Sequence, residues 1–358
     1  MPQSDSINTL TKQKQELLRL YIILIVILVV LFIINISLGS VRIPIQEVAN
    51  ILIGKGASRD AWNNILIHFR LPKALTAVMV GAGLGISGLL MQTLFRNPMA
   101  GPFVLGISSG ASLGVAVAIL AGMSAGAMLT QVGIIGDWFL TLAASTGAFL
   151  ILLVVVAVSA RVRDSMSLLI IGLMFGSTTA AIVSVLQFFS RAESVQAYLI
   201  WTFGSLGGLT WQELNVFIPV VIIGLIIAFM LSKNLNALLL GDNYAQSMGV
   251  NLKTTRFIII LSTSLLAGTI TAFCGPIAFI GIAIPHLTRL LFNTANHKTL
   301  FFLVTLCGAI LMLTCDIIAQ VPGHEYTLPI NAVTSIIGAP IVIWLVLRKG
   351  NISKSFTG

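Results

Sequence analysis

The chain has 358 residues, 57% of them hydrophobic and 9% charged, with a formal net charge of +9 and a mean hydropathy of +1.03. Soluble domains carry roughly a quarter charged residues, so this composition excludes an ordinary soluble enzyme or binding domain and indicates a chain solvated mainly by lipid. The cations are scattered among short loops, which argues against a basic patch for nucleic acid.

A polar opening, residues 1–18 with KQKQELLR, precedes the run LYIILIVILVVLFIINISLG. That run is too long for a signal-peptide core and lacks a small-residue cleavage site, so it reads as an uncleaved first span. With it, at 19–39, further apolar segments near 73–95, 102–122, 138–160, 167–189, 214–232, 257–274, 276–293, 299–319 and 328–347 make ten. A bilayer crossing needs about 20 apolar residues. The expectation is an all-α integral membrane protein of about ten transmembrane helices, with no soluble domain and no internal repeat. The segment after Gly275 and Pro276 reads as one helix or as two short pieces. Cys274, Cys307 and Cys315 lie singly inside apolar runs, which suits small buried residues better than a disulfide framework or a metal site.

Ten spans put both termini on one side, and the positive-inside rule chooses it. With the termini in the cytoplasm, 14 of the 20 Lys and Arg residues fall inside and six outside. Five of the six share the loop from Val41 to Lys73: Arg42, Lys55, Arg59, Arg70 and Lys73. Within it, FRLPKAL sets Arg70 and Lys73 at the mouth of the second span. Long basic side chains anchor a helix at the interface; the same cations would also steer an acidic partner from outside.

Between spans six and seven lies LLLGDNYAQSMGVNLKTTR, residues 238–256, a polar island on the cytoplasmic side in this topology. GDNYAQSMGV reads as a short amphipathic helix. Asp242 is placed to cap its start, Ala245 and Met248 at i and i+3 give it a small apolar face, and Gly249 sits where a helix end takes a left-handed residue. It serves either as a connector or as a ridge offered to a cytoplasmic partner.

The island resembles the coupling-helix segment of FecCD-type permeases, the membrane subunits of ABC importers (type II) for iron chelates and vitamin B12. The matching positions are Leu240, Gly241, Asp242, Ala245, Met248, Gly249 and Val250. RLPKALTAVMVGAGLGISGLLMQTLFRNPMAGPFVLGISSGASLG, GPIAFIGIAIPHLTRLL and LPINAVTSIIGAPIVIWLVLR are similar to three further blocks of that family, in its order, so the resemblance runs from Arg70 to Arg348. It implies that residues 1–358 form one transmembrane permease domain in a bacterial inner membrane, carrying a cytoplasmic N-terminal segment at 1–18 and the coupling region at 238–256. It further implies a homodimer with a pathway on its two-fold axis, two cytoplasmic ATPase subunits that hold the ATP and magnesium, an outside binding protein, and no cofactor on this chain. Arg70 and Lys73 match docking arginines of the family. Gln320 stands where a third is usual, Thr327 where a Glu is usual, and Asn331 where a Gly is usual.

Other motifs are weighed against plainer readings. GAGLGISG contains the spacing of a dinucleotide fingerprint, yet it lies mid-span without a preceding soluble strand; Gly81 and Gly85 fit close helix packing better. Arg96, Asn97, Pro98 and Pro102 mark a break between spans two and three, either structural or facing the pathway. His286 and Arg289 suit a cap or loop contact near the ATPase. Gly172, Gly176, Thr179 and Gln187 form a small, partly polar stripe on span five, which in the family lines the translocation path. Arg191, just outside that span, reads as a contact for an anionic chelate or as an anchor.

No G-x-x-x-x-G-K-[ST] occurs, so the chain does not itself cradle ATP. Ion-coupled transporters keep ionisable relay residues within spans; of these only Asp316 comes close, which leaves a secondary transporter as the alternative. An intramembrane enzyme ranks third, since no H-E-x-x-H and no convergent acid–base set is present. The expected function is alternating access for a large cargo: siderophore iron first, then haem or cobalamin.

Overall fold

The computed structural model describes residues 2–120, 134–159, 161–162, 165–321, 324 and 326–347. Arg163, Arg348, Lys349 and Lys354, used in the charge count, lie outside the described residues. Among those described, the chain is helical throughout, with no strand. In order it forms α1 (Pro2–Ser37), α2 (Ile45–Leu52), α3 (Asp60–Ile65), α4 (Leu71–Leu94), α5 (Ile107–Leu120), α6 (Ile134–Ser159), α7 (Ser165–Phe188) and α8 (Ala192–Thr202). Then come α9 (Trp211–Met230), α10 (Ser232–Leu239), α11 (Asp242–Ser247), α12 (Leu252–Cys274), α13 (Ile280–Phe292), α14 (His297–Ala319) and α15 (Ile330–Leu347).

All ten apolar segments contain a helix. Among the described residues, seven helices are long and apolar enough to cross a membrane, while α13, at Ile280–Phe292, is shorter. Irregular backbone precedes α5 and α13. Gly106 with φ 74° precedes α5, and Gly275 and Phe279 with φ 73° and 65° precede α13. The stretch after Gly275 is therefore one short helix behind an irregular turn. That turn is stapled: the Asn331 amide oxygen accepts from Ala278 N–H at 3.0 Å, and Asn331 N–H donates to the Phe203 carbonyl at 3.1 Å.

The second span begins well before residue 73, at Asp60. α3 runs into α4 through a π turn at Leu66–Arg70, in which Leu71 N–H reaches back to the Leu66 carbonyl. Pro72 explains the widening. Its ring cannot donate to residue 68 and would crowd that carbonyl, so the chain takes a wider turn there.

α4 is the central column. It is buried over most of its length and packs against α9, α12, α13 and α14. Small residues permit this. A Cβ on Gly81 would lie 2.1 Å from the Gly308 carbonyl oxygen of α14, and one on Gly308 would lie 2.2 Å from that of Gly81. A Cβ on Gly88 would lie 1.6 Å from the Gly281 oxygen of α13. Pro285 lacks the N–H that would bond the Gly281 carbonyl within the helix, and that carbonyl lies against Gly88. Close backbone packing is thus the use of Gly81 and Gly88 in GAGLGISG. α5 packs on α6 and α7, and α12 touches both groups.

Candidate functional site

Residues singled out in the sequence gather at the two ends of α4. At the Lys73 end, an open cavity of about 390 Å³ is lined by Arg70, Lys73, Gln320 and Thr327 together with Asn35, Phe69 and His324. Four of the positions tied to docking by resemblance therefore share one mouth. Their side chains, however, have inward work. Arg70 is buried; its Nη1 donates to the Ile36 and Ser37 carbonyls at 3.0 and 2.9 Å, and its Nη2 to the Val41 carbonyl. Ile36 and Ser37 end α1, where helix carbonyls lack partners and a cation complements the helix dipole. Arg70 is an α1 cap.

Lys73 Nζ sits 3.0 Å from Asp316 Oδ1, and Asp316 Oδ2 accepts from Asn35 Nδ2 and Gln320 Nε2, each at 2.8 Å. Asp316 is 3% exposed while Lys73 keeps 20% of its side chain open. Gln320 thus completes a buried cluster joining α1, α4 and α14. A second buried carboxylate, Glu213, belongs to none of the motifs weighed above. Glu213 forms a capping box with Thr210, accepting from its N–H at 2.8 Å and its hydroxyl at 2.9 Å. The signal was there: Thr210 followed three residues later by Glu213 at the head of an apolar run.

At the Arg96 end lies α11. Two expectations for it are corrected. Its cap is Gly241, not Asp242, and no side chain bonds the first turn. Asp242 is instead an ion-pair hub: Arg96 Nη2 donates to Oδ1 and Arg256 Nη2 to Oδ2, both at 2.6 Å. Nor do Ala245 and Met248 share a face, since Ala245 is fully buried and Met248 is 60% exposed. The apolar face offered outward is Leu240, Tyr244 and Met248, at i, i+4 and i+8, each more than half exposed. The C-terminal expectation holds. Gly249 has φ 84°, its N–H bonds the Gln246 carbonyl at 2.9 Å, and Val250 N–H bonds that of Ala245 at 3.0 Å. This pair of bonds is a Schellman motif, which wants glycine at that position.

Around this helix the end of α4 is tightly held. Thr93 Oγ1 lies 2.8 Å from His297 Nε2 and accepts from Arg289 Nη2 at 3.3 Å. His297 Nδ1 donates to the Asn236 side-chain oxygen of α10 at 2.9 Å. His286 is buried within α13.

The stripe on α7 is partly covered by its neighbours. A Cβ on Gly172 would lie 2.2 Å from the Val104 carbonyl, Gly176 faces Ser109, and Thr179 is buried. Gly172 and Gly176 thus lie against the 102–105 turn and α5, and Gln187 is half-buried. The open face of α7 carries Ser177, Thr178 and Ser184, whose hydroxyls bond carbonyls of their own helix.

Comparison with known proteins agrees with this architecture. The signature of the FecCD transport family matches residues 27–348. The chain is 33% identical over 321 residues to the hemin transport system permease HmuU of Yersinia pestis, covering 89% of this chain and 94% of that one. It is 35% identical over 282 residues to the vitamin B12 import system permease BtuC of Klebsiella pneumoniae, covering 79% and 82%. An ABC transporter of metal-chelate type, solved in an inward-facing conformation, superposes with a TM-score of 0.80 at 29% identity, covering 92% of this chain and 99% of that one. With its long apolar helices and a family match over nearly its whole length, the chain belongs to the FecCD transport family and is a multi-pass membrane permease.

Proposed function

We infer that the chain is the permease subunit of an ATP-driven importer that passes a large chelate across the bacterial inner membrane by alternating access. The observation that carries this reading is α11: a short helix, braced by two ion pairs and a C-terminal glycine motif, presenting Leu240, Tyr244 and Met248 to solvent. An exposed apolar ridge on a rigid mount is a docking surface. With both termini cytoplasmic, it meets a separate ATPase, which holds the ATP and magnesium; two such subunits serve a permease homodimer. The mouth at Lys73 receives an outside binding protein through the rim of its cavity, with Lys73, Gln320 and Thr327 nearest and Arg70 supporting from within. The two-fold pathway takes the open face of α7 as a wall. Its hydroxyls are already bonded to the helix, so it offers few free donors, which suits passage of a bulky cargo without tight binding. Siderophore iron is the first choice of cargo, with haem and cobalamin next, as in relatives named for them.

Ion coupling fits less well. Asp316 is neutralised by Lys73 and Glu213 is locked in its capping box, so neither is poised as a relay. In liposomes holding the permease with its co-purified ATPase, uptake of haemin, cyanocobalamin or a ferric siderophore should require the binding protein and ATP. Uptake driven by a proton or sodium gradient without the ATPase would overturn the reading.

A further inference from the structure

α11 has six residues and one buried side chain, Ala245, which is too little to keep it in place against a load. The braces are electrostatic and lead to two different parts of the molecule. Arg96 immediately follows the last turn of α4, with φ 45°, and its Nε also donates to the Leu238 carbonyl of α10 at 3.2 Å. A non-glycine residue keeps that conformation only where its surroundings over-determine it. Arg256 stands in the second turn of α12. Three residues before Arg96, Thr93 ties the same end of α4 to α14 through His297 and to α13 through Arg289. Movement of Arg96 is therefore movement of the central column, and one carboxylate links it to α11.

We propose that Asp242 is the positioning residue that makes α11, the α4 corner at Arg96 and the start of α12 move as one body. A push on the ridge then enters α4 through Arg96 and α12 through Arg256 rather than being lost in a flexible loop. This rests on the reading of α11 as the ATPase-docking helix, and it separates two jobs: the ridge holds the partner, and Asp242 transmits its motion. Both arginine pairs are partly exposed, and such pairs contribute little to folding, so neutralising the carboxylate should spare the fold.

The test uses the full-length permease with its co-purified ATPase in nanodiscs, spin-labelled at Met99 in the α4–α5 corner and Gln246 on α11. Wild type, Asp242→Asn and Asp242→Glu are compared without nucleotide and after ATP–vanadate trapping. Wild type and Asp242→Glu should keep one label distance in both states. Asp242→Asn should still retain the ATPase but show a shifted, broadened distance after trapping. The assignment is overturned if Asp242→Asn keeps the wild-type distance, if wild type itself separates the labels, or if Asp242→Asn loses the ATPase, which would make Asp242 part of the docking face. Absence of any ATPase from the wild-type preparation would instead overturn the functional reading beneath it.

Discussion

Asp316 shows how a charge is kept inside a membrane protein. It lies on α14 with one oxygen on Lys73 and the other on two amide donors. Removing Lys73 leaves the buried Asp316 carboxylate without its cation, at about 3 kcal/mol. Lys73→Ala should therefore lower the thermal unfolding temperature in detergent clearly, and adding Asp316→Ala should recover part of the loss. Equal melting of wild type and the single variant would show that the pair contributes nothing. In sequence, Lys73 and Asp316 were visible as a mouth cation and a lone in-span acid, but 243 positions separate them and nothing local pairs them. Arg70 failed to reveal its role for the same reason: its acceptors are backbone carbonyls of another helix, and carbonyls carry no sequence signal.

Elements were legible where the signal is local. The C-terminus of α11 followed from Gly249 because a left-handed position needs a residue without a Cβ. Its N-terminus did not, because Asp242 is drawn away by two arginines that only the fold brings near. The stripe on α7 was correctly seen as small, yet smallness marks close packing as readily as a pathway, and here the backbone of the 102–105 turn fills it. The α4–α13 seam gives a sharper case. Gly88 lies directly against the Gly281 carbonyl, so a larger residue must part the helices, and overpacking of this kind costs about 3 kcal/mol. Gly88→Val should give little folded protein in the membrane, whereas Ala49→Val, on the exposed face of α2, should express normally. Normal yield and melting of Gly88→Val would contradict the seam.

For the whole molecule, hydropathy located ten apolar segments, since it depends on composition rather than on contacts. Hydropathy did not show that α13 is shorter than a bilayer crossing, because the irregular backbone at Gly275–Phe279 is as apolar as the helix it precedes. The central claim remains that a braced ridge at one end of this bundle receives an ATPase. Its most direct test is affinity capture of the tagged chain from native membranes, with ATPase activity measured on the eluate, for wild type and for Met248→Glu. Wild type should bring down an ATPase and hydrolyse ATP. A charge in the exposed apolar ridge should remove most of both, at least tenfold if the ridge supplies about 1.4 kcal/mol of the contact. Capture of the wild type alone, with no ATPase activity, would contradict the account.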